Sequence, residues 1–236
     1  MPVLSIVIPC YNEAENIPLL IKSIDGNYKP DTEIILVDNG STDDTPAVLL
    51  KELKAVSNAS IRFVRVENNI GYGHGIMAGV HEARGEIIAW THADMQTDPA
   101  DVIAAYKNYI NVEGFEDSIL KGKRIGRNPL DAFFTFGMGV LSSLLMSVKL
   151  SDINGQPKMF HRSFLEKITN APDDFSLDLY FLYQARVNGY EILEEPVHYG
   201  KRLHGEAKGG GSLIGKWKLI KRTWTYMNEL KKKLDK

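Results

Sequence analysis

Apolar and polar positions follow two different rhythms along the first hundred residues. Four short runs rich in Val, Ile and Leu have the length of buried strands: residues 3–8, 33–37, 61–66 and 86–90. The segments between them repeat apolar residues at helical spacing: residues 13–24, 44–56 and 75–83. Strands separated by helices predict right-handed crossovers, and therefore an α/β fold whose mostly parallel central sheet has helices on both faces. Asn12 and Glu15 predict a capping box at the first helix.

The second half of the chain has a less regular pattern. The predicted elements are helices at 99–112 and 176–188, strands at 119–127 and 190–197, and a loop entering a strand at 152–160. The last strand is expected to end at Pro196, because proline cannot continue a hydrogen-bonded ladder. Residues 202–211 are glycine-rich and basic, which indicates a loop able to close over a ligand as a lid.

Two segments raise the question of membrane contact. Residues 132–148 carry no formal charge over 17 positions, which is short of the ~20 apolar residues that a membrane span needs. A core helix or a helix lying in the membrane interface fits this segment better. Near the C-terminus, six apolar residues recur at steps of three or four beside many lysines: Trp217, Ile220, Trp224, Met227, Leu230 and Leu234. Such a stripe is typical of a helix packed on its own domain and of a basic helix lying on an anionic membrane.

Composition and charge narrow the class of protein. The chain has 236 residues, of which 44% are hydrophobic and 25% charged, as in an ordinary globular protein. Its single cysteine, Cys10, excludes a disulfide framework and a cysteine zinc site, and fits a reducing compartment. The first residues lack the basic region of a signal peptide, so a cytoplasmic location is expected. Residues 216–236 hold eight Lys/Arg against two acids, whereas the rest is acidic, which argues against a nucleic-acid partner.

Glycine-rich phosphate motifs do not account for the chemistry of this sequence. The turn after the first predicted strand has no glycine, so the dinucleotide-binding fingerprint is absent where it belongs. Gly71, Gly73 and Gly75 follow a later strand but lack the required spacing. Residues 210–216 match a P-loop through the lysine, but Trp217 stands where Ser or Thr should hold magnesium.

Polar residues follow the predicted strands instead. Ligands of parallel α/β sheets bind beyond the carboxyl ends of the strands. Asp38 is therefore expected to accept hydrogen bonds from a nucleobase or ribose, whereas Thr42 and Asp43 are interpreted as caps of the next helix. In an extended segment, His92, Asp94 and Gln96 would project to one side, which predicts a divalent cation site completed by water and phosphate oxygens.

As a set, these motifs resemble the family-two glycosyltransferases of the GT-A fold. The resemblance rests on four stretches between residues 3 and 100, in this order: Ile-Val-Ile-Pro-Cys-Tyr-Asn-Glu, Val-Asp-Asn-Gly-Ser-Thr-Asp-Asp-Thr, Asn-Ile-Gly-Tyr-Gly and His-Ala-Asp-Met-Gln. The second half is similar to the polyprenyl-phosphate, dolichyl-phosphate mannose synthase-like branch, through residues 152–162, 195–199 and 202–208. The resemblance implies a GT-A domain over 1–211, with a nucleotide-sugar half at 1–112, an acceptor half at 113–211 and a basic amphipathic helix at 212–236.

The resemblance also implies roles for individual residues on the donor side. The implied nucleotide-binding residues are Pro9, Tyr11, Glu13, Asp38, Gly71 and His92. Asp94 and Gln96, with His92, are expected to hold the Mg²⁺ or Mn²⁺ that bridges the donor diphosphate. The family usually has an acid at the position of His92, and imidazole suits magnesium less well than carboxylate does. We therefore expect weaker metal binding that favours manganese.

The expected reaction needs positive charge near the leaving diphosphate, and residues that bind or activate the acceptor. Arg202 and Lys208 are the preferred candidates to neutralise the leaving diphosphate. The acceptor-side candidates, which could contact a phosphate, are Arg124, Arg127, Gln156 and Lys158. Asp178 is the candidate general base if the acceptor is a hydroxyl, and otherwise a residue that satisfies backbone amides at a helix start.

These expectations favour one function and leave two alternatives. The favoured function is the inverting, metal-assisted transfer of a sugar from a nucleotide-sugar donor to a polyprenyl phosphate, by an enzyme peripheral to the cytoplasmic membrane face. One alternative is transfer to a glycan hydroxyl with Asp178 as the base. The other is a non-catalytic, membrane-associated subunit that binds sugar nucleotides, for which His92 in place of an acid is the evidence.

Overall fold

The computed structural model describes residues 3–27, 31–56, 60–200, 202, 204 and 213–234. The strands are β1 (Leu4–Cys10), β2 (Thr32–Asn39), β3 (Ile61–Val66), β4 (Ile87–Trp90), β5 (Ser118–Ile125), β6 (Lys158–His161) and β7 (Glu191–His198). The helices are α1 (Ile17–Asn27), α2 (Thr45–Ala55), α3 (Tyr72–Glu82), α4 (Ala100–Ile110), α5 (Pro129–Met146), α6 (Leu177–Val187) and α7 (Leu213–Leu234). Two short 3₁₀ helices cover Phe115–Asp117 and Arg162–Lys167.

The seven strands form one sheet in the order β3-β2-β1-β4-β6-β5-β7. Every neighbouring pair is parallel except the two pairs made by β6, which runs antiparallel to β4 and β5. The predicted mostly parallel sheet is therefore confirmed. Because β6 is antiparallel to both β4 and β5, the strands on its two sides run in the same direction. The other six strands therefore all end at the same side of the sheet, which we call the carboxyl edge.

The sheet separates two apolar cores, as expected when helices cover both faces. Residues of β1 alternate between them: Val7 packs with α3 and α6, whereas Ile6 and Ile8 pack with α1 and α4. Met227 and Leu230 of α7 are buried in the first of these cores. The packing of α7 on its own domain is thus confirmed for this part of the apolar stripe, while Trp217 remains largely exposed.

Local signals at three element ends were misleading. The predicted capping box is wrong, because α1 begins at Ile17 and the Asn12 side chain instead accepts a hydrogen bond from Thr42 N, 2.9 Å away. The N-cap of α2 is Asp44, whose side chain makes no capping hydrogen bond, so the prediction that Thr42 and Asp43 cap this helix is wrong in position. Asp43, one residue earlier, still accepts from Thr45 N through Oδ1. β7 continues past Pro196, which is tolerated because β7 is the last strand of the sheet and pairs along one side with β5.

The uncharged segment forms α5, whose N-terminus is capped by Asn128 Oδ1 accepting from Leu130 N. By length and composition α5 could cross a membrane, and it is the one such helix in the described part of the chain. Along its length only Gly139, Ser142 and Met146 are buried. The core-helix alternative for this segment is therefore wrong.

Candidate functional site

The carboxyl edge brings together the ends of β1, β2 and β4. Cys10 at the end of β1 is in register with Asp38 of β2, and Val7 of β1 with Trp90 of β4. β1 thus lies between the strand that carries Asp38 and the strand that leads to Asp94. Pro9 is the penultimate residue of β1, and half-buried Tyr11 follows the strand directly.

An arginine joins two buried acids at this edge. Arg202 Nη2 donates to Asp94 Oδ2 at 2.7 Å, and Nη1 lies 3.3 Å from Glu13 Oε1. Both carboxylates belong to side chains that are almost buried. Glu13 is fixed by two further contacts, because its backbone N–H donates to Thr45 Oγ1 and its Oε2 accepts from Asn16 Nδ2. Arg202 is therefore in the candidate site, as predicted, while Lys208 lies outside the described residues.

The expected one-sided arrangement of His92, Asp94 and Gln96 is wrong. Met95 has a φ of 56°, so the chain turns instead of extending, and Gln96 N donates to Asp94 Oδ1 at 3.1 Å. The Gln96 amide faces away toward the residues after β7, accepting from Tyr199 Oη and donating to the carbonyl of Gly200. The His92 ring lies 5.8 Å from the ring of Tyr72. Over the described ranges, no cluster of three His, Cys, Asp or Glu side chains is arranged around a metal position.

Asp38 and its neighbours form a rigid turn after β2. Asp38 is fully buried, and its Oδ1 accepts from Ser41 N at 3.0 Å. Oδ2 lies 3.9 Å from Arg65 Nε and, within the described part of the chain, accepts no hydrogen bond. The adjacent Asn39 donates from Nδ2 to the carbonyl of Gly71 at 2.9 Å, which ties this turn to the start of α3.

Glycine is required where α3 begins. Gly71 has a φ of 154°, and a Cβ there would lie 2.1 Å from the carbonyl oxygen of Asp173. A Cβ on Gly75 would lie 2.5 Å from Cγ of Asn39. These glycines allow α3 to pack closely against the turn after β2 and against the segment before α6. They therefore help to place these three segments next to one another at the site.

Asp178 lies in a buried polar cluster formed by Asp178, Tyr72, Gln156 and Lys158. Its Oδ1 accepts from Gln156 Nε2 at 3.0 Å and lies 3.3 Å from Lys158 Nζ, and its Oδ2 accepts from Tyr72 Oη at 3.3 Å. Burial lowers the pKa of Lys158 to about 8, although Asp178 opposes this shift. Burial, and then the charge of Asp178, raise the pKa of Tyr72 well above its ordinary value.

The buried cluster changes the interpretation of Lys158. Its ammonium group is fully buried and donates to the carbonyls of Ile153 and Gly155, at 2.8 and 2.7 Å. The structure therefore does not support the prediction that Lys158 contacts a phosphate of the acceptor. Gln156 is also buried, with its Nε2 directed at Asp178 and Tyr72. Both residues hold the segment before β6 against α6.

Two other arginines lie near the same edge: Arg124 is the penultimate residue of β5, and Arg127 follows two residues after its end. The Arg124 and Arg127 guanidinium carbons lie 5.5 and 5.6 Å from the centre of the Tyr199 ring. Arg124 is paired with Asp152, and Arg127 donates to Thr135 Oγ1 at 2.6 Å. Burial would raise the pKa of Asp152, but Arg124 outweighs it and keeps that pKa below its ordinary value. These contacts fix two cations around one aromatic ring.

Two aromatic residues of the site, Tyr199 and Tyr72, are not among the site residues that the sequence predicts. Tyr199 lies between Gln96, Arg124 and Arg127, and burial followed by the charge of Asp94 raises its pKa. It comes directly after β7, so the rule that selected the ends of the first four strands would have found it. Tyr72 lies in the stretch Asn-Ile-Gly-Tyr-Gly, but its contact with Asp178 could not be predicted, because the two residues are 106 positions apart.

Comparisons with known proteins show the family to which the chain belongs. The model of the family "Glycosyl transferase family 2" matches residues 5–169. A dodecaprenyl-phosphate galacturonate synthase of Rhizobium johnstonii is 29% identical over 173 residues, which are 70% of this chain and 49% of that protein. The chain thus spans about half the length of that relative. An uncharacterized glycosyltransferase of Mycobacterium tuberculosis is 27% identical over 230 residues, covering 92% of this chain and 97% of that protein.

Solved structures share the fold at lower identity. Glucosyl-3-phosphoglycerate synthase of Mycobacterium tuberculosis, in complex with Mn²⁺, UDP-glucose and phosphoglyceric acid, has a TM-score of 0.70 at 19% identity, covering 94% of this chain and 77% of that one. The mannosyltransferase PcManGT of Pyrobaculum calidifontis, in complex with GDP-Man and Mn²⁺, has a TM-score of 0.66 at 20% identity, covering 89% and 59%. The fold is GT-A, and the chain belongs to glycosyl transferase family 2 as a glycosyltransferase.

Proposed function

We propose that this enzyme transfers a sugar from a nucleotide-sugar donor to a polyprenyl phosphate at the cytoplasmic face of a membrane, with a divalent cation and inversion at the anomeric carbon. The observation that carries the choice of acceptor is the enclosure of Asp178, which leaves the site without its candidate base. The name of the Rhizobium relative, a dodecaprenyl-phosphate galacturonate synthase, supports the same acceptor class.

The donor would bind along the carboxyl edge, over the ends of β1, β2 and β4. Asp38 Oδ2, next to Arg65, offers an acceptor for a nucleobase or ribose group. Pro9, Tyr11 and Glu13 come from the end of β1 and the turn after it, which is the position of the ligand in sheets of this type. Gly71 would contribute by allowing the start of α3 to pack closely against the segment before α6.

The acidic pair at this edge fits a divalent cation. Glu13 and Asp94 converge on the guanidinium of Arg202, so their field already favours a positive charge. Mg²⁺ and Mn²⁺ need few protein carboxylates when phosphate oxygens and water complete their shell. We assign the cation to Asp94, while the Gln96 amide and the His92 ring hold Tyr199 and Tyr72 in place. When bound, the cation supplies Lewis-acid stabilisation of the diphosphate leaving group.

The acceptor would be a phosphate that needs no deprotonation by the protein. A phosphate monoester is largely dianionic near neutrality, since its second pKa is ~6. A hydroxyl needs a positioned base, and Asp178 is buried with both carboxylate oxygens engaged by Tyr72, Gln156 and Lys158. Arg124 and Arg127, held around Tyr199, supply the positive charge that positions a phosphate.

The transfer then follows as a single displacement. An oxygen of the acceptor phosphate forms the new bond to the anomeric carbon of the sugar. The bond from that carbon to the donor diphosphate breaks on the opposite side, and its electron pair leaves with the nucleoside diphosphate. Arg202, which reaches both acids of the edge, is placed to follow the diphosphate as negative charge develops there.

An acceptor comparison tests this proposal. The full chain is incubated with Mn²⁺, a panel of UDP- and GDP-sugars, and a polyprenyl phosphate or the matching polyprenol, and the products are identified by mass spectrometry. We expect a polyprenyl-phosphate sugar, and no product with the polyprenol. Transfer to a polyprenol or a glycan hydroxyl, with a severe loss of turnover in Asp178→Asn, would instead favour the base mechanism. Absence of both transfer and donor hydrolysis would favour a non-catalytic subunit.

A further inference from the structure

α5 exposes a continuous apolar stripe, which we call the α5 stripe. Its members are between 44% and 74% exposed: Leu130, Phe133, Phe136, Val140 and Leu144. Steps of three and four residues place them on one face of the helix. The residues buried against the protein, Gly139, Ser142 and Met146, lie on the opposite face. α5 is therefore attached to the fold along one side and uncovered along the other.

The α5 stripe differs from the other exposed apolar residues of the protein. Leu19, Leu50 and Val187 are exposed one at a time on α1, α2 and α6, as is normal for a folded surface. The stripe combines two phenylalanines, two leucines and a valine on a single helix, and all of them except Leu130 lie in the run without formal charge from 132 to 148. A contiguous patch of this kind marks a site of contact with a membrane or a partner.

The helix beside the stripe carries the charge that identifies the partner. α5 packs against α7, and residues 216–236 hold eight Lys/Arg against two acids. Lys221, Lys231 and Lys232 are exposed on α7, together with Trp217 and Trp224. Tryptophan favours the membrane–water interface, and basic side chains are attracted to anionic lipids. Pairing two copies of the chain through this face would bring two cationic helices together, which is unfavourable.

The stripe also begins next to the candidate site. β5 ends at Ile125 on the carboxyl edge, Arg127 follows, and α5 starts at Pro129. Leu130, the first member of the stripe, is three residues from Arg127. A surface that covers the stripe would therefore lie beside the cations assigned to the acceptor phosphate.

We propose that α5 lies in the interface of an anionic membrane, with the α5 stripe facing the acyl chains, and that a lipid phosphate reaches Arg127 from the N-terminal end of this helix. The docking stands on the stripe and on α7, whereas the route of the phosphate rests on the proposed function. Because the opposite face of α5 is packed against the protein, the helix lies along the membrane instead of crossing it.

Vesicle binding tests the docking without any acceptor lipid. Wild-type protein and the variant Phe133→Gln/Phe136→Gln/Leu144→Gln are sedimented with phosphatidylcholine vesicles, with and without phosphatidylglycerol. We expect wild type to bind the anionic vesicles, and the variant to lose on the order of 100-fold in partition coefficient, since three large side chains no longer leave water. The matched control Leu19→Gln/Leu50→Gln/Val187→Gln, which also removes three exposed apolar residues, is expected to bind as wild type does. Circular dichroism and thermal melting confirm that both variants fold.

The outcomes separate docking from catalysis. Equal binding of wild type and the α5 variant, or no binding of wild type, overturns the docking. The docking is also overturned if light scattering shows that wild type is a dimer, the α5 variant is a monomer, and neither protein binds vesicles. The α5 stripe would then be an interface with a second copy of the chain. Transfer to a short, water-soluble polyprenyl phosphate, expected to be the same in wild type and variant, reports on the proposed function alone. Vesicle binding without such transfer would retain the docking and reject the function.

Discussion

Arg202 Nη2 lies 2.7 Å from Asp94 Oδ2, and the same guanidinium reaches Glu13 at 3.3 Å. A cation supplied by the chain thus occupies the space between two almost buried acids. A divalent cation that binds Asp94 must compete with Arg202 for this carboxylate. Once a donor diphosphate is present, the guanidinium has a second anion to pair with, so binding of the cation and binding of the donor become coupled.

This competition predicts that Arg202→Ala binds Mn²⁺ more tightly than wild type when no donor is present. Removing the guanidinium frees Asp94, and we expect a gain of about tenfold, or ~1.4 kcal/mol, by calorimetry. The same variant should bind a nucleoside diphosphate with Mn²⁺ more weakly, because the diphosphate loses its arginine. Arg186→Ala is the control, since that guanidinium contacts the carbonyl of Lys149. Unchanged or weaker Mn²⁺ binding by donor-free Arg202→Ala would show that Arg202 does not compete.

Two glycines provide a matched test of the packing at α3. Gly75→Ala places a methyl group against Asn39, so we expect a loss of about 1–3 kcal/mol in the free energy of unfolding, together with weaker donor binding. Gly137→Ala on α5 has no neighbour within 4 Å and should stabilise the helix by roughly 0.5–1 kcal/mol. Denaturant unfolding of both variants measures the difference. Equal effects of the two substitutions would contradict the close approach of α3 to the turn after β2.

The buried Lys158 predicts a pH dependence of stability. Its pKa is about 8 in the folded state and ~10.4 in an unfolded chain, so the folded state binds fewer protons between these values. The contribution of Lys158 to the free energy of unfolding is therefore lowest below pH 8, and it rises with pH between about 8 and 10.4. Between about pH 7.5 and 9.5, the free energy of unfolding of wild type relative to Lys158→Met should increase by about 1–2 kcal/mol. A difference that is flat or falls over this range would show that the ammonium is not held in a desolvated site.

The ring of Tyr199 and its hydroxyl group are predicted to have separable effects. Tyr199→Phe keeps the surface that Arg124 and Arg127 contact and loses the hydrogen bond to Gln96. Tyr199→Leu loses both. We expect Tyr199→Leu to raise KM for the acceptor about tenfold, and Tyr199→Phe to raise it by less, because the cation–aromatic contacts are worth ~0.5–1 kcal/mol each at partly exposed sites. Steady-state kinetics at saturating donor make the comparison, and a larger effect of Tyr199→Phe would contradict this role of the ring.

The parts of the fold and site that could be predicted depend on short-range pattern. Alternating apolar runs and helical segments were sufficient for β1 to β4 and the helices between them. Asp38 and Asp94 could be assigned to one edge, because parallel strands end on the same side of a sheet. The predicted capping box is wrong because the Asn12 side chain bonds to Thr42, which is 30 positions away and belongs to another turn.

Long-range pairing was beyond the reach of the sequence pattern. Lys158 was predicted to bind a phosphate, because the neighbouring sequence does not indicate that its ammonium group is buried beside Asp178 of α6. The contact of Arg202 with Asp94 spans 108 positions, and that of Tyr199 with Gln96 spans 103. Such contacts are set by the order of strands in the sheet, in which β6 and β5 separate β4 from β7.

In the proposed mechanism, Asp94 would hold a cation that bridges the diphosphate of a nucleotide donor. Calorimetric titration of UDP and GDP into wild type and Asp94→Asn, with Mn²⁺, Mg²⁺ or chelator, measures whether nucleotide binding depends on the cation and on Asp94. We expect one of the two nucleotides to bind only when the cation is present, and this binding to be lost in Asp94→Asn. Binding of equal affinity in chelator, or in Asp94→Asn with Mn²⁺, would contradict it.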